Sequence, residues 1–195
     1  MYTLFIDTHG NDVLVAIYKD DLVIKYSLVP SEQNHSTNTL PTIEKMLGEL
    51  NLSIWTIKAI VVVNGPGSFT GVRIGVTIAK TLAYTLNIPI KAINSLLLYA
   101  ISNNPNNGKI IALADSKGFY FNMFNQYNQP MWEYDYLSLE DFKKMIAEKK
   151  VERMVMANNL TINLDAIPAI MEEIPALNPH EVNPLYIKNV GANND

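Results

Sequence analysis

Few residues in this sequence have the type and spacing to do chemistry. The densest candidate is Asn64-Gly65-Pro66-Gly67-Ser68-Phe69-Thr70-Gly71-Val72-Arg73-Ile74-Gly75, which follows a β-branched run and opens a helical pattern. A strand-to-helix turn of this kind can aim backbone N–H groups and the positive end of a helix dipole at an anion. Gly65, Gly67 and Ser68 are therefore candidates for a phosphate site. The string is not a dinucleotide fingerprint, because its last glycine falls one place late. It also lacks the Gly-Lys-Ser/Thr ending of a phosphate loop. A tight turn without any ligand accounts for it equally well. Ser68 does not sit in a Gly-x-Ser-x-Gly elbow, so a hydrolase reading is weak.

Metal chemistry finds little support. His9, His35 and His180 are far apart, and none belongs to a ligand-spaced motif. Cysteine is absent, which excludes disulfides, thiolate zinc sites and cysteine nucleophiles and fits a reducing compartment. No metal is expected. Asp7 and Asp115 each end a strand that reads as the first of its half of the chain. Each can manage phosphate and metal in a nucleotide cleft, or can cap its own turn, Asp7 toward Gly10 and Asp115 toward Gly118. The turn-capping reading is preferred, since His9 puts a ring where a phosphate-binding turn wants a small residue.

Charge narrows the partners. The net charge is −4 over 195 residues. Lys143-Lys144 and Lys149-Lys150 are interleaved with Glu140, Asp141 and Glu148, the composition of a solvated helix face and not of a nucleic-acid patch. Any RNA contact should therefore be indirect. No apolar run reaches the ~20 residues of a membrane span. The opening Met1–Asp7 reads as a strand and not as a signal peptide. A cytoplasmic protein without membrane contact is expected.

The elements that would position these residues come in a repeated order. Strands are predicted at Tyr2–Ile6, Val13–Ile17 and Leu22–Val29, joined by Gly10-Asn11 and Asp20-Asp21 turns. A helix over Thr39–Leu50 follows, with Leu40, Ile43, Leu47 and Leu50 on one face, Thr39 as its cap and Pro41 in its first turn. Ala59–Val63 reads as a strand covered on both faces. After the glycine stretch come a helix over Val72–Leu86, a strand at Ile90–Ile93 and a helix from Ser95. Ser102–Gly108 is polar and turn-rich, the best linker candidate.

Beyond it the order restarts: strands at Lys109–Ala114, Phe119–Gln126 and Met131–Leu137, a helix capped by Ser138 and running to Lys149, and a strand at Arg153–Ala157. The expected fold is α/β, a duplicated RNase H-like fold of the actin-like ATPase, sugar kinase and Hsp70 architecture. The lobes are expected at 1–102 and 109–195, the C-terminal tail being a candidate to pack back on the first.

The helix after the glycine stretch carries Gly71, Gly75, Ala79 and Ala83 at intervals of four. That makes a furrow along one face which lets another backbone approach closely, either a partner's or that of the chain's own sheet. Arg73 and Lys80 lie elsewhere on the same helix.

The glycine stretch closely resembles the GPGSFTGxRIG signature of the bacterial TsaB (YeaZ) family. Ile6-Asp7-Thr8 resembles that family's opening. His35-Ser36 with Leu40-Pro41 and Ile43 resembles its first-helix pattern. Asp115-Ser116-Lys117 stands where it has Asp-Ala-Arg, and Pro184-Leu185-Tyr186-Ile187-Lys188 resembles its close. Members of that family are longer, with the difference between Asn158 and Pro184, so the resemblance implies a shortened second lobe. The resemblance implies a non-catalytic subunit of the complex that adds a threonylcarbamoyl group to N6 of the adenosine at position 37 of tRNAs reading codons that begin with A. A TsaD-like catalytic subunit is the implied partner, a TsaE-like ATPase joins the pair, and homodimers form.

TsaD-like enzymes carry a His-x-x-x-His pair after the strand that follows the glycine-loop helix, two imidazoles on one helix face that chelate a metal. Ser95 and Tyr99 stand at the corresponding positions here. Resemblance also places the subunit contact on the two helices of the first lobe. The expected interface residues are Leu40, Ile43, Leu47, Gly71, Arg73, Gly75, Val76, Ala79, Lys80 and Ala83. Asp7, Gly65, Gly67, Ser68 and Asp115 form a candidate vestigial nucleotide site. No resident cofactor is expected, with ATP or ADP at the subunit interface as a candidate. The alternative is a free-standing actin-fold ATP-dependent phosphotransferase using Asp7 and Asp115.

Overall fold

A computed structural model describes residues 1–31, 34–103, 109–151 and 153–187. Residues 104–108 of the expected linker and Lys188 of the closing motif lie outside the described residues. The chain divides into two units, Met1–Ser95 with Leu164–Pro184, and Leu96–Asn163 with the residues from Leu185 on.

The first unit begins as a meander. Alternating β-branched and aromatic residues form β1 (Tyr2–Asp7), β2 (Asp12–Lys19) and β3 (Leu22–Pro30), paired antiparallel. Then come α1 (His35–Glu49), β4 (Ile57–Val63), α2 (Phe69–Leu86) and β5 (Ile90–Ile93). β4 runs parallel to both β1 and β5 and is buried along nearly its whole length, as its unbroken apolar run requires. The strand order is β3-β2-β1-β4-β5.

One face of this sheet carries the core. Leu4, Ile6, Val13, Val15, Ile17, Ile60 and Val62 pack against Ile43, Met46 and Leu47 of α1 and Val72, Val76, Ala79 and Ala83 of α2. Leu177 and Val182 of the returning segment join the same cluster, and Leu177 N–H donates to the Ile90 carbonyl at 2.8 Å.

The second unit repeats the order with one strand fewer. β6 (Lys109–Ala114), β7 (Gly118–Phe124) and β8 (Asp135–Ser138) pair antiparallel, and β9 (Met154–Met156) lies parallel to β6, giving β8-β7-β6-β9. α3 (Ser95–Ser102) sets Leu96, Tyr99 and Ala100 against Ile111, Leu113 and Phe124. α4 (Leu139–Glu148) sets Phe142 against Ile110, Ala112 and Phe121. The Ser138 hydroxyl accepts from Asp141 N–H at 3.1 Å, the expected cap. Among the described residues no counterpart of β5 follows β9; α5 (Ile167–Glu173) belongs to the first unit. This is the duplicated RNase H-like fold, its second lobe shortened.

Three of the boundaries that differ from the sequence reading have a plain physical cause. The first unit ends at Ser95 and not at 102, because the apolar face of α3 packs on β6 and β7. Leu164–Pro184 belongs to the first unit and not the second, because Val182 is buried in its core and Leu177 packs half-buried against it. α1 starts four residues before Thr39, whose hydroxyl donates to the His35 carbonyl at 2.7 Å within the helix. Pro41 consequently lies inside α1, on its exposed side, where the acceptor that loses its donor can be solvated.

Candidate functional site

The glycine stretch is bound into its own unit from both sides. Gly65 has φ +104°, a conformation open to glycine and costly for other residues. The Gly65 carbonyl accepts from Ser95 N–H at 2.9 Å, and the Pro66 carbonyl accepts from the Ser95 hydroxyl at 2.5 Å. On the other side, Ser68 N–H donates to the His9 carbonyl at 2.7 Å, and a Cβ on Gly67 would run into that same carbonyl. Ser68 is the N-cap of α2, its hydroxyl accepting from Gly71 N–H at 3.2 Å. The Ser68 and Gly71 amides, which a phosphate would need, thus have internal acceptors. Of the two sequence readings of this stretch, the geometry favours the tight turn.

Asp7 is buried and faces His9, not Gly10. Its Oδ1 accepts from His9 N–H at 3.0 Å and lies 2.6 Å from His9 Nδ1. The correction has a simple cause, since the imidazole and its own amide reach the carboxylate before the chain gets to Gly10. Asp115 Oδ1 accepts from Lys117 N–H at 2.7 Å, Gly118 N–H at 2.9 Å and the Tyr136 hydroxyl at 2.8 Å. His35 is buried with Nε2 3.0 Å from the Gly10 carbonyl, and the His180 ring stands edge-on to Tyr84. Each of the three histidines thus packs within the first unit.

Sequence reasoning missed Thr8. Its hydroxyl donates to the Gly71 carbonyl at 2.7 Å, and its side chain fills the notch left by Gly75. A Cβ at Gly71 would meet the Thr8 carbonyl. Only the Gly71–Gly75 spacing hinted at such a close approach, and it could not name the neighbour.

Much of the expected interface is therefore interior. Gly71, Gly75, Val76, Ala79 and Ala83 face the chain's own sheet, as do Ile43 and Leu47. The glycine end of the furrow receives Thr8, the residue after β1, and the expectation that the furrow receives a partner is corrected. Lys80 is half-buried, its Nζ donating to the His180 carbonyl at 3.4 Å. Leu40 on α1 (48% exposed), with Phe69 and Arg73 on α2, remains outward. The Arg73 guanidinium lies 3.6 Å from the Phe69 ring centroid, so the two form one cation–π unit at i, i+4.

Among the described residues no group of three or more His, Cys, Asp or Glu side chains is placed to hold a metal ion, and no helix is long and apolar enough to cross a membrane. The arrangement is a stiff bracket of turns behind the start of α2, with an apolar and cationic surface in front of it.

Comparison with known proteins agrees with the glycine signature. The chain is 31% identical over 176 residues, 88% of its own length and 77% of the other's, to the tRNA threonylcarbamoyladenosine biosynthesis protein TsaB of Bacillus subtilis. This chain belongs to the TsaB (YeaZ) family. TsaB of Escherichia coli is 34% identical over 120 residues, 60% of this chain and 51% of that one, so the match spans only about half of that relative. A family profile of TsaD, tRNA N6-adenosine threonylcarbamoyltransferase, matches residues 28–127.

Two solved structures share the fold of this TsaB-family chain. A Pseudomonas aeruginosa protein with similarity to peptidase YEAZ superposes with a TM-score of 0.76 at 18% identity, covering 96% of this chain and 99% of that one. YeaZ of Pseudomonas aeruginosa superposes with 0.72 at 19%, covering 95% and 100%.

Proposed function

We propose that this chain is a non-catalytic subunit of the machinery that adds a threonylcarbamoyl group to N6 of adenosine 37 in tRNA. Its task is to hold and activate a TsaD-like catalytic partner, with a TsaE-like ATPase joining the pair. The observation that carries the reading is the 31% identity to TsaB of Bacillus subtilis along 88% of the chain. Two further features support it. Where the resemblance places the enzyme's histidine pair, Ser95 is buried with its hydroxyl on Pro66, and Tyr99 is buried among Leu96, Ile111 and Phe124. A net charge of −4 leaves the tRNA to the partner.

The partner face is the exposed side of α1 and α2, centred on Leu40, Phe69 and Arg73. An aromatic ring, an arginine and an exposed leucine are the residue types that anchor interfaces. The free-standing phosphotransferase gains nothing from the geometry, because the Asp7 carboxylate is clasped by His9.

Reconstitution tests the reading. With tRNA and the activated threonylcarbamoyl donor, the TsaD-like and TsaE-like proteins should modify tRNA only when this chain is added. The chain alone should not. Full modification in its absence, or transfer by the chain alone, overturns the proposal.

A further inference from the structure

β3 is the outer strand of its sheet, so among the described residues no strand adjoins its side away from β2. Its pairing with β2 shifts register between Ile17 and Tyr18, where Ile24 is passed over. From Lys25 to Pro30 the pairing with Ile17 to Asp12 is regular. Along that stretch the side chains alternate between two different surfaces. Lys25, Ser27 and Val29 turn to α1, and with Asn38, Thr42 and Lys45 of that helix they border a groove of about 350 Å³. Tyr26 and Leu28 take the other face, 62% and 56% exposed.

The groove is charged. Glu49 reaches it from α1, its carboxylate 2.8 Å from Lys25 Nζ and 3.9 Å from Lys45 Nζ. Two ammonium groups thus share one carboxylate.

We infer that β3 receives an extended segment of a partner protein, added as a further strand along Lys25–Val29, with an acidic side chain over the groove and apolar ones beside Tyr26 and Leu28. A sheet edge takes up an extended peptide through main-chain hydrogen bonds, and alternate side chains give the specificity. Charge argues for the acidic residue. A second carboxylate beside Lys45 balances the two ammonium groups, whereas a lysine there would add a third cation. Tyr26 and Leu28 argue for apolar residues at the positions between, because opposed apolar pairs stabilise a sheet. The irregularity at Ile24 bends the strand at one end of this stretch, and Pro30, which has no N–H to offer, closes the other. Asn38, Thr42 and Lys45 share one side of α1, and Leu40 lies on another. The surface is therefore separate from the Leu40–Phe69–Arg73 face, and the inference does not rest on the tRNA-modification role.

The probe is the synthetic peptide acetyl-Thr-Val-Asp-Ile-Glu-Val-Thr-amide, with a twin in which lysine replaces both acids. Titrated into isotope-labelled full chain, the acidic peptide should shift the amide resonances of Lys25–Val29 and Asn38–Lys45. A short strand binds weakly, with a dissociation constant on the order of 0.1 mM. Amides of Lys25–Val29 that point away from β2 should exchange with solvent several-fold more slowly in the complex. The lysine twin should bind at least tenfold more weakly. Lys45→Glu should invert that preference with melting temperature unchanged, because the side chain is 75% exposed.

Absence of shifts at about ten times that dissociation constant overturns the inference. So do equal binding of the two peptides, and shifts centred on Leu40, Phe69 and Arg73. Outward amides of Lys25–Val29 that are already protected in the free chain would seat a segment of this chain there. Shifts that grow with protein concentration alone would seat a second copy. Either result also overturns it.

Discussion

At the residue scale, Thr8 and the two glycines of α2 decide which way the helix faces. The Thr8 hydroxyl fills the space a side chain at Gly75 would need, and its carbonyl fills the space at Gly71. Gly75→Leu should therefore lower the melting temperature. Overpacking costs about 1–3 kcal/mol, which at about 2–4 °C per kcal/mol for a chain this size amounts to several degrees. Differential scanning calorimetry reads this directly, and an unchanged or raised melting temperature would show that Thr8 does not occupy the furrow.

Lys109 supports a second residue-scale prediction. Its side chain is buried, and Nζ donates to the Ala100 and Asn103 carbonyls at the end of α3, at 2.8 and 2.9 Å. Burial, with the Arg153 charge adding to it, pushes its pKa down from 10.5 to about 8. Between pH 8 and 10.5 the unfolded chain holds a proton that the folded chain has released, so stability rises with pH across that window. The gain is up to about 3 kcal/mol. Below pH 8 both states are protonated, and the cost of the buried charge is fully present. Denaturant titrations at pH 7.5 and 10 should show wild type gaining on Lys109→Met; parallel behaviour of the two proteins is the contrary result.

At the element scale, α2 has two jobs on two faces. Its inner face fixes the helix on Thr8 and the sheet, and its start is fixed by Ser68. Ser68→Ala should cost about 1 kcal/mol of stability through the lost cap. The outer face carries Phe69 and Arg73. Arg73→Glu breaks the cation–π pair at an exposed position, where such pairs contribute little to folding. Binding to the TsaD-like partner, measured by titration calorimetry, should weaken about tenfold or more while the melting temperature holds. Loss of stability in parallel with binding would place Arg73 in the fold and not in the interface.

At the scale of the whole molecule, the two units repeat one strand order, but among the described residues the second shows no strand after β9. The chain then turns back, buries Val182 in the first unit and packs Leu177 against its core, so 164–184 supports the lobe that carries the proposed partner face. Removing those contacts with Val182→Asp should destabilise the first unit by about 3 kcal/mol or more, because an unpaired carboxylate would replace a fully buried valine. Urea unfolding of this variant beside a Val182→Ala control separates the charge from the smaller cavity effect.

The sequence by itself determined the order of the elements, the repeat and the family. These follow from local signals: hydrophobic period, turn residues, and a glycine string whose spacing leaves little latitude. It also placed the Ser138 cap correctly, because a cap is satisfied within four residues. Only the tertiary structure decided that the Gly71–Ala83 furrow faces inward, that Asp7 serves His9, and that α3 belongs with β6. Those outcomes depend on which segments meet across tens of residues, as Thr8 meets Gly71 and Gly75. A periodic pattern says that a face will be covered; burial within the fold chooses what covers it.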